Sequence, residues 1–177
     1  RLVEPLQAAF DVGPAAVGAV VSLVWFGTAL PRLPLSYVLT RVSRRRIVVV
    51  SGVVLTAAAA LTASAPDLRT LRVGVLAVGV ASGAYFVSAV PLISELYPDR
   101  VGKRIGIHGT AAQLAAVAAP TVVVSVVAVA TWRAVFWLLA AASLLTTLAF
   151  AVGLRRADQA PEAPPARNFR GADEEHP

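Results

Sequence analysis

The sequence predicts an all-α fold, a polytopic membrane helical bundle with five full transmembrane helices. Three observations predict it. Pro14 to Leu39, Ile47 to Ser64, Val73 to Ile93, Ile105 to Ala128 and Trp132 to Leu154 are apolar runs. Each meets or approaches the ~20 residues that a helix needs to cross a bilayer core of ~30 Å. Hydrophobic residues make up 57% of the chain and charged residues 15%, with a mean hydropathy of +0.72. Consecutive helices that are apolar on every side leave none to face water, which excludes a soluble bundle. Finally, the arginine-rich stretches Arg41 to Arg46 and Arg100 to Arg104 fall on alternate junctions, and basic loops of this kind fix the direction of threading.

The elements follow in order. Residues 1–13 are too short to span and read as the end of a helix followed by a loop. The first span contains Pro31 and Pro34, which membrane helices tolerate and which commonly kink them. The second, rich in Val and Ala, ends at Ala65-Pro66-Asp67. The third carries Gly74, Gly79 and Gly83, the last two forming a Gly-xxx-Gly step that lets another helix approach closely. Glu95-Leu96-Tyr97-Pro98-Asp99 closes it. The fourth begins after Arg104 and contains Gly106, Gly109 and Pro120. Trp132 and Trp137 open the fifth, placed as interfacial aromatics are. Residues 1–156 are thus expected to form the transmembrane bundle. Residues 157–177 hold four prolines, five carboxylates and almost no large apolar side chains. That composition cannot bury enough surface to fold alone, and is expected to be a disordered cytoplasmic tail or central linker.

Charge excludes further classes. The net charge is +6 and the pI about 11.0, but the basic residues hug the ends of apolar runs. The lipid bilayer is therefore the expected partner, and nucleic acid is not. Cysteine is absent, and His108 and His176 are too few and too far apart for a metal cluster. The sequence has no intramembrane carboxylate pair, no nucleophile with a base and no phosphate-cradling loop, so neither enzyme chemistry nor a cofactor is expected. Arg41, Arg44, Arg45, Arg46, Arg100, Lys103, Arg104, Arg155 and Arg156 lie on one side; Arg1, Arg69, Arg72 and Arg133 lie on the other. By the positive-inside rule this gives a multi-pass protein of the cell membrane with its beginning outside and its tail cytoplasmic. A chain that starts at Arg1 and contains no Met is expected to be a segment of a longer protein.

Three spans carry polar stripes. At 100° per residue, Ser22, Trp25, Thr28, Arg32 and Ser36 fall within an arc of about 120°. Ser82, Tyr85 and Ser88 share such an arc on the third span, and Thr110, Gln113 and Thr121 on the fourth. Trp25, Thr28, Arg32, Ser36, Ser82, Tyr85, Ser88, Thr110 and Gln113 are the candidate substrate-binding residues of a solvated cavity. Arg32, read as lying near mid-helix, marks function, because a charge inside a span costs several kcal/mol. Its permanently charged planar fork suits a small anionic solute. The alternative is that Ser and Thr bond to their own helices and the chain is a non-transporting membrane scaffold or assembly protein. His108, close to a span edge and off the stripe, reads as a packing or interfacial histidine.

Ser36-Tyr37-Val38-Leu39-Thr40-Arg41-Val42-Ser43-Arg44-Arg45 resembles the junction between helices two and three of the major facilitator superfamily. That motif reads Gly, three residues, Asp, Arg, any, Gly, Arg, then Arg or Lys. The three arginines match, while Ser36, Thr40 and Ser43 replace Gly, Asp and Gly. Glu95-Leu96-Tyr97-Pro98 followed by Gly102-Lys103-Arg104-Ile105-Gly106 is similar to the family's junction between helices four and five, and the turn into Trp132-Arg133 resembles the one before helix six. The resemblance implies that the spans are helices two to six of an N-terminal transporter half, with residues 1–9 the outer end of helix one. It implies secondary transport by alternating access, with the C-terminal half as the missing partner; alone, the chain is not expected to catalyse uptake. Arg41, Arg44, Arg45, Glu95, Lys103 and Arg104 would form a cytoplasmic gate, with Glu95 pairing to Arg44, Arg45 or Arg104. Thr40 removes the family's acidic member of that gate. An arginine on helix two resembles the anion porters, including the nitrate/nitrite type, although the glycine- and asparagine-rich signature of that branch is not visible in the fourth span.

Overall fold

A computed structural model describes residues 3–158, apart from the side chains of Ser36 and residues 155–158. The expected tail lies, from residue 159 onward, outside the described residues. The chain forms α1 (Val3–Phe10), α2 (Pro14–Ala29), α3 (Arg32–Val38), α4 (Arg44–Ala63), α5 (Leu68–Leu96), a 3-10 turn (Pro98–Arg100), α6 (Val101–Val129) and α7 (Trp132–Asp158). Among the described residues there is no strand, and five segments are long and apolar enough to cross a membrane. The all-α polytopic bundle read from the sequence is the observed fold.

Helix ends differ from the apolar runs in an instructive way. α4 starts at Arg44 rather than Ile47, α5 at Leu68 rather than Val73, and α6 at Val101 rather than Ile105. A helix need not stop where its hydrophobicity does, since water at the interface satisfies its terminal N–H groups. Arg44 to Arg46, Lys103 and Arg104 therefore belong to first helical turns and not to loops. Asp67 starts α5 by accepting the Thr70 N–H at 2.8 Å, and this bond holds its carboxyl below the ordinary range. Pro31 divides the first span into α2 and α3, yet Leu30 and Pro31 both keep right-handed helical angles. The backbone therefore stays helical through the proline.

Small residues set the packing, as expected where lipid supplies no hydrophobic drive between helices. The helix that meets the Gly79–Gly83 step is α2. A Cβ on Gly27 would lie 2.5 Å from the Leu76 carbonyl oxygen; one on Gly79 or Gly83 would collide with the carbonyl of Val24 or Thr28. These pairs rise together in number, so α2 and α5 run in the same direction. On the far side of α5, Thr62 of α4 is fully buried against Gly74. α4 then meets α7, where Ser143 Oγ donates to the Gly52 carbonyl at 3.1 Å and Thr147 lies against Gly52. α6 stands aside: it has no buried residue, and a Cβ on Gly106 or Gly109 would meet nothing within 4 Å.

At the end opposite the arginine clusters, α1 folds over a core of Leu6, Val17, Val20, Leu71, Val75 and Trp132. Trp132 is only 5% exposed, with ring centroids 5.7 Å from Phe10 and 6.1 Å from Phe136. This corrects its reading as an interfacial aromatic: α1 covers it, whereas Trp137 is 51% exposed. Arg133 closes the end of α4 by donating to the Ala63 and Ala65 carbonyls at 3.2 and 3.0 Å. Its guanidinium also rests over the Trp132 ring.

Candidate functional site

The expected substrate-binding residues divide among exposed helix faces, the packed interior and a cavity between helices. On α2 and α3, Trp25 is 73% exposed and Arg32 is exposed. The membrane span containing Arg32 ends at Leu35, which places the guanidinium in its last turn, nearer the basic end than mid-helix. Taking Gly27 as the seam, Trp25 and Arg32 lie about 160° and 140° away around the helix axis. They therefore face away from α5. Thr28 is half-buried, its hydroxyl donating to the Val24 carbonyl at 2.9 Å; Ser22 and Ser82 bond likewise to Gly18 and Val78. Ser88 is fully buried, and its hydroxyl has no hydrogen-bond partner among the described residues. Thr110 and Gln113 are exposed on α6. The side chain of Ser36 lies outside the described residues.

Between α4, α5, α6 and α7 lies a cavity of 620 Å³. Of the nine expected residues only Tyr85 lines it. Its ring meets His108 of α6, centroids 6.0 Å apart, so His108 does pack against a neighbouring helix. Tyr97 also lines it, and Ser51, Ser143, Thr146 and Thr147 supply the remaining hydroxyls. Sequence reasoning missed these, although Ser143, Thr146 and Thr147 recur at helical spacing along the last span and would have marked a fourth stripe. Their hydrogen bonds are directed inward: Ser51 donates to Ile47, Ser143 to Gly52 and Thr146 to Ala142. The cavity wall contains no charged side chain.

The basic end holds the expected gate residues. Arg44 and Glu95 form an ion pair joining the start of α4 to the end of α5. A carboxylate there also opposes the positive end of the α4 dipole, which three successive arginines would otherwise aggravate. Arg45 is half-buried beside it. Arg41 lies over the Tyr37 ring at 5.0 Å and Arg104 over the Tyr97 ring at 4.5 Å, while Lys103 is exposed.

Five apolar spans, four of them packed through glycine-lined seams, with cations gathered at one end, define a multi-pass membrane protein. Residues 2–174 match the Major Facilitator Superfamily. The chain belongs to this superfamily, a family of membrane transporters. No curated protein and no solved structure matches it.

Proposed function

We propose that the chain is the N-terminal half of a secondary active transporter that moves a small anionic solute by alternating access, with Arg32 as the principal anion-binding group. The observation that carries this reading is the exposure of Arg32 on the face of α2 and α3 turned away from the α5 seam, without an ion pair among the described residues. An unneutralised guanidinium in the last turn of a span is a site awaiting an anion or an acidic partner. Trp25 and Thr28 on the same helices, and Thr110 and Gln113 on the sparsely packed α6, would complete a path closed by the opposite half. The basic end lies in the cytoplasm of the cell membrane, which the distribution of arginines supports. There the Arg44–Glu95 pair, with Arg41, Arg45, Lys103 and Arg104 around it, acts as the gate. The chemistry is transport and not catalysis.

The test is uptake into proteoliposomes by a complete transporter, this chain joined to a second six-helix half. A small carboxylate, nitrate or phosphate is expected to accumulate and to be inhibited by another anion, while the chain alone carries none. Uptake of cations only would contradict the anion assignment; uptake by the chain alone would contradict its reading as a half.

A further inference from the structure

We infer that the basic end of α5 is a hinged segment: residues 91–96 swing about Pro91, the Arg44–Glu95 ion pair holds them in place, and a hydrogen bond gained by Ser88 favours their release. This rests on the reading of that pair as the gate. Ser88 carries the inference. None of its surface is exposed, and its hydroxyl finds no partner among the described residues. On either side of it along α5, Ser82 and Ser94 donate to the carbonyls four residues back, those of Val78 and Val90. The carbonyl in the same relation to Ser88 is that of Ala84, and there the bond is not made. No further segment can reach so enclosed a hydroxyl while the helices stay where they are. The missing bond is therefore a property of this arrangement of α4 and α5.

The surroundings show which movement would repair it. Ser88 lies about 40° around the helix axis from Gly74, which meets Thr62 of α4, so it faces α4. With Thr62 on Gly74 and Arg44 on Glu95, the two helices run antiparallel and Ser88 is level with Val48 to Ser51. Pro91 follows within one turn. It offers no N–H to the Val87 carbonyl and its ring crowds that oxygen, so the helix bends most easily here. A serine that bonds to the carbonyl one turn back also bends its helix. The bond from Ser88 to Ala84 and the proline kink thus favour the same motion. Against them stands Glu95, one turn beyond Pro91 and tied to Arg44. At the low end, an unpaired buried hydroxyl disfavours its state by about fivefold. A partly exposed ion pair favours its own by up to about fivefold. The two nearly balance, which is what a two-position element requires.

The experiment reads distances between spin labels on the chain in lipid nanodiscs. The labels sit at Asp99→Cys, beyond the hinge, and at Val152→Cys on α7, both exposed in a chain with no other cysteine. Asp99 lies about 12 Å past Pro91 along the chain, so a swing of about 20° moves it by about 4 Å. Two distances are expected. Glu95→Gln breaks the ion pair and should raise the share of the swung distance about fivefold. Ser88→Ala removes the unpaired hydroxyl and should shift the ratio about fivefold the other way, in the parent and in Glu95→Gln alike. Pro91→Ala restores the N–H and should leave one distance, with helical circular dichroism unchanged in every variant. A single distance common to the parent, Glu95→Gln and Ser88→Ala would overturn the hinge. A ratio that follows Glu95→Gln and ignores Ser88→Ala would overturn the role given to Ser88. Because the distances are read without transport, uptake by a complete transporter that is indifferent to Glu95→Gln would contradict the gate while the measured swing still upheld the hinge.

Discussion

Arg32→Ala is expected to remove nearly all anion uptake by a complete transporter containing this chain, with the amount of protein in the membrane unchanged. The first half of that expectation follows from chemistry. A hydrogen bond to a charged partner contributes about 1.5–3 kcal/mol, equivalent to roughly 10–150-fold in affinity, and a bidentate guanidinium makes two. Arg32→Lys keeps the charge but loses the planar fork, so an intermediate loss is expected, mostly in the solute concentration needed for half-maximal uptake. The second half follows from packing: Arg32 is exposed and faces away from the α2–α5 seam, so removing it leaves no cavity in the fold. Uptake measured across solute concentrations, beside surface labelling, checks both. Normal transport by Arg32→Ala would refute the assignment.

Gly79→Val is expected to separate α2 from α5 and to deplete folded protein. A Cβ at Gly79 collides with the Val24 carbonyl and stands 3.1 Å from both Gly27 Cα and the Thr28 nitrogen. These are backbone atoms and cannot step aside as a side-chain tip can. Overpacking costs about 1–3 kcal/mol where neighbours yield; here the whole helix must move, and a loss at or above the upper end is expected. Gly109→Val supplies the control, because a Cβ there meets nothing within 4 Å while the change in helix propensity is the same. Thermal aggregation of the two variants in mild detergent should differ by well over 5 °C, with only Gly79→Val below the parent.

Much of this fold was legible because membrane spans are written in composition. The five apolar runs and the Gly79–Gly83 step needed only counting. The partner of that step was not legible: Gly27 lies between Phe26 and Thr28 with no second glycine one turn away, and only the three-dimensional approach shows its role. Helix ends were misjudged because an apolar window closes where the interface begins, while the backbone continues into it. Trp132 was misread for a related reason. An aromatic after a turn looks like a membrane-belt residue, and nothing in the sequence shows that α1 returns to cover it. Of the site, the charged end was accessible because topology alone puts Glu95 and Arg44 at the same end of neighbouring helices. The cavity was legible only in part: Ser143, Thr146 and Thr147 recur at helical spacing, but nothing in the sequence shows that this face of α7 meets Ser51 of α4 and Tyr85 of α5.

The direct test of a solvated anion path on the α2, α3 and α6 faces is thiol accessibility, because this chain has no cysteine and can be joined to a second half whose cysteines have been replaced. Cysteine is placed singly at Thr28, Arg32 and Gln113 in the complete transporter and treated with a charged, membrane-impermeant thiol reagent in inside-out and right-side-out vesicles. The expected result is labelling at all three positions, and protection at Thr28→Cys and Gln113→Cys by the transported anion. No labelling at any of them, in either vesicle orientation, would mean that these faces are covered by lipid or by protein. The chain would then be a membrane scaffold and not part of a transport path.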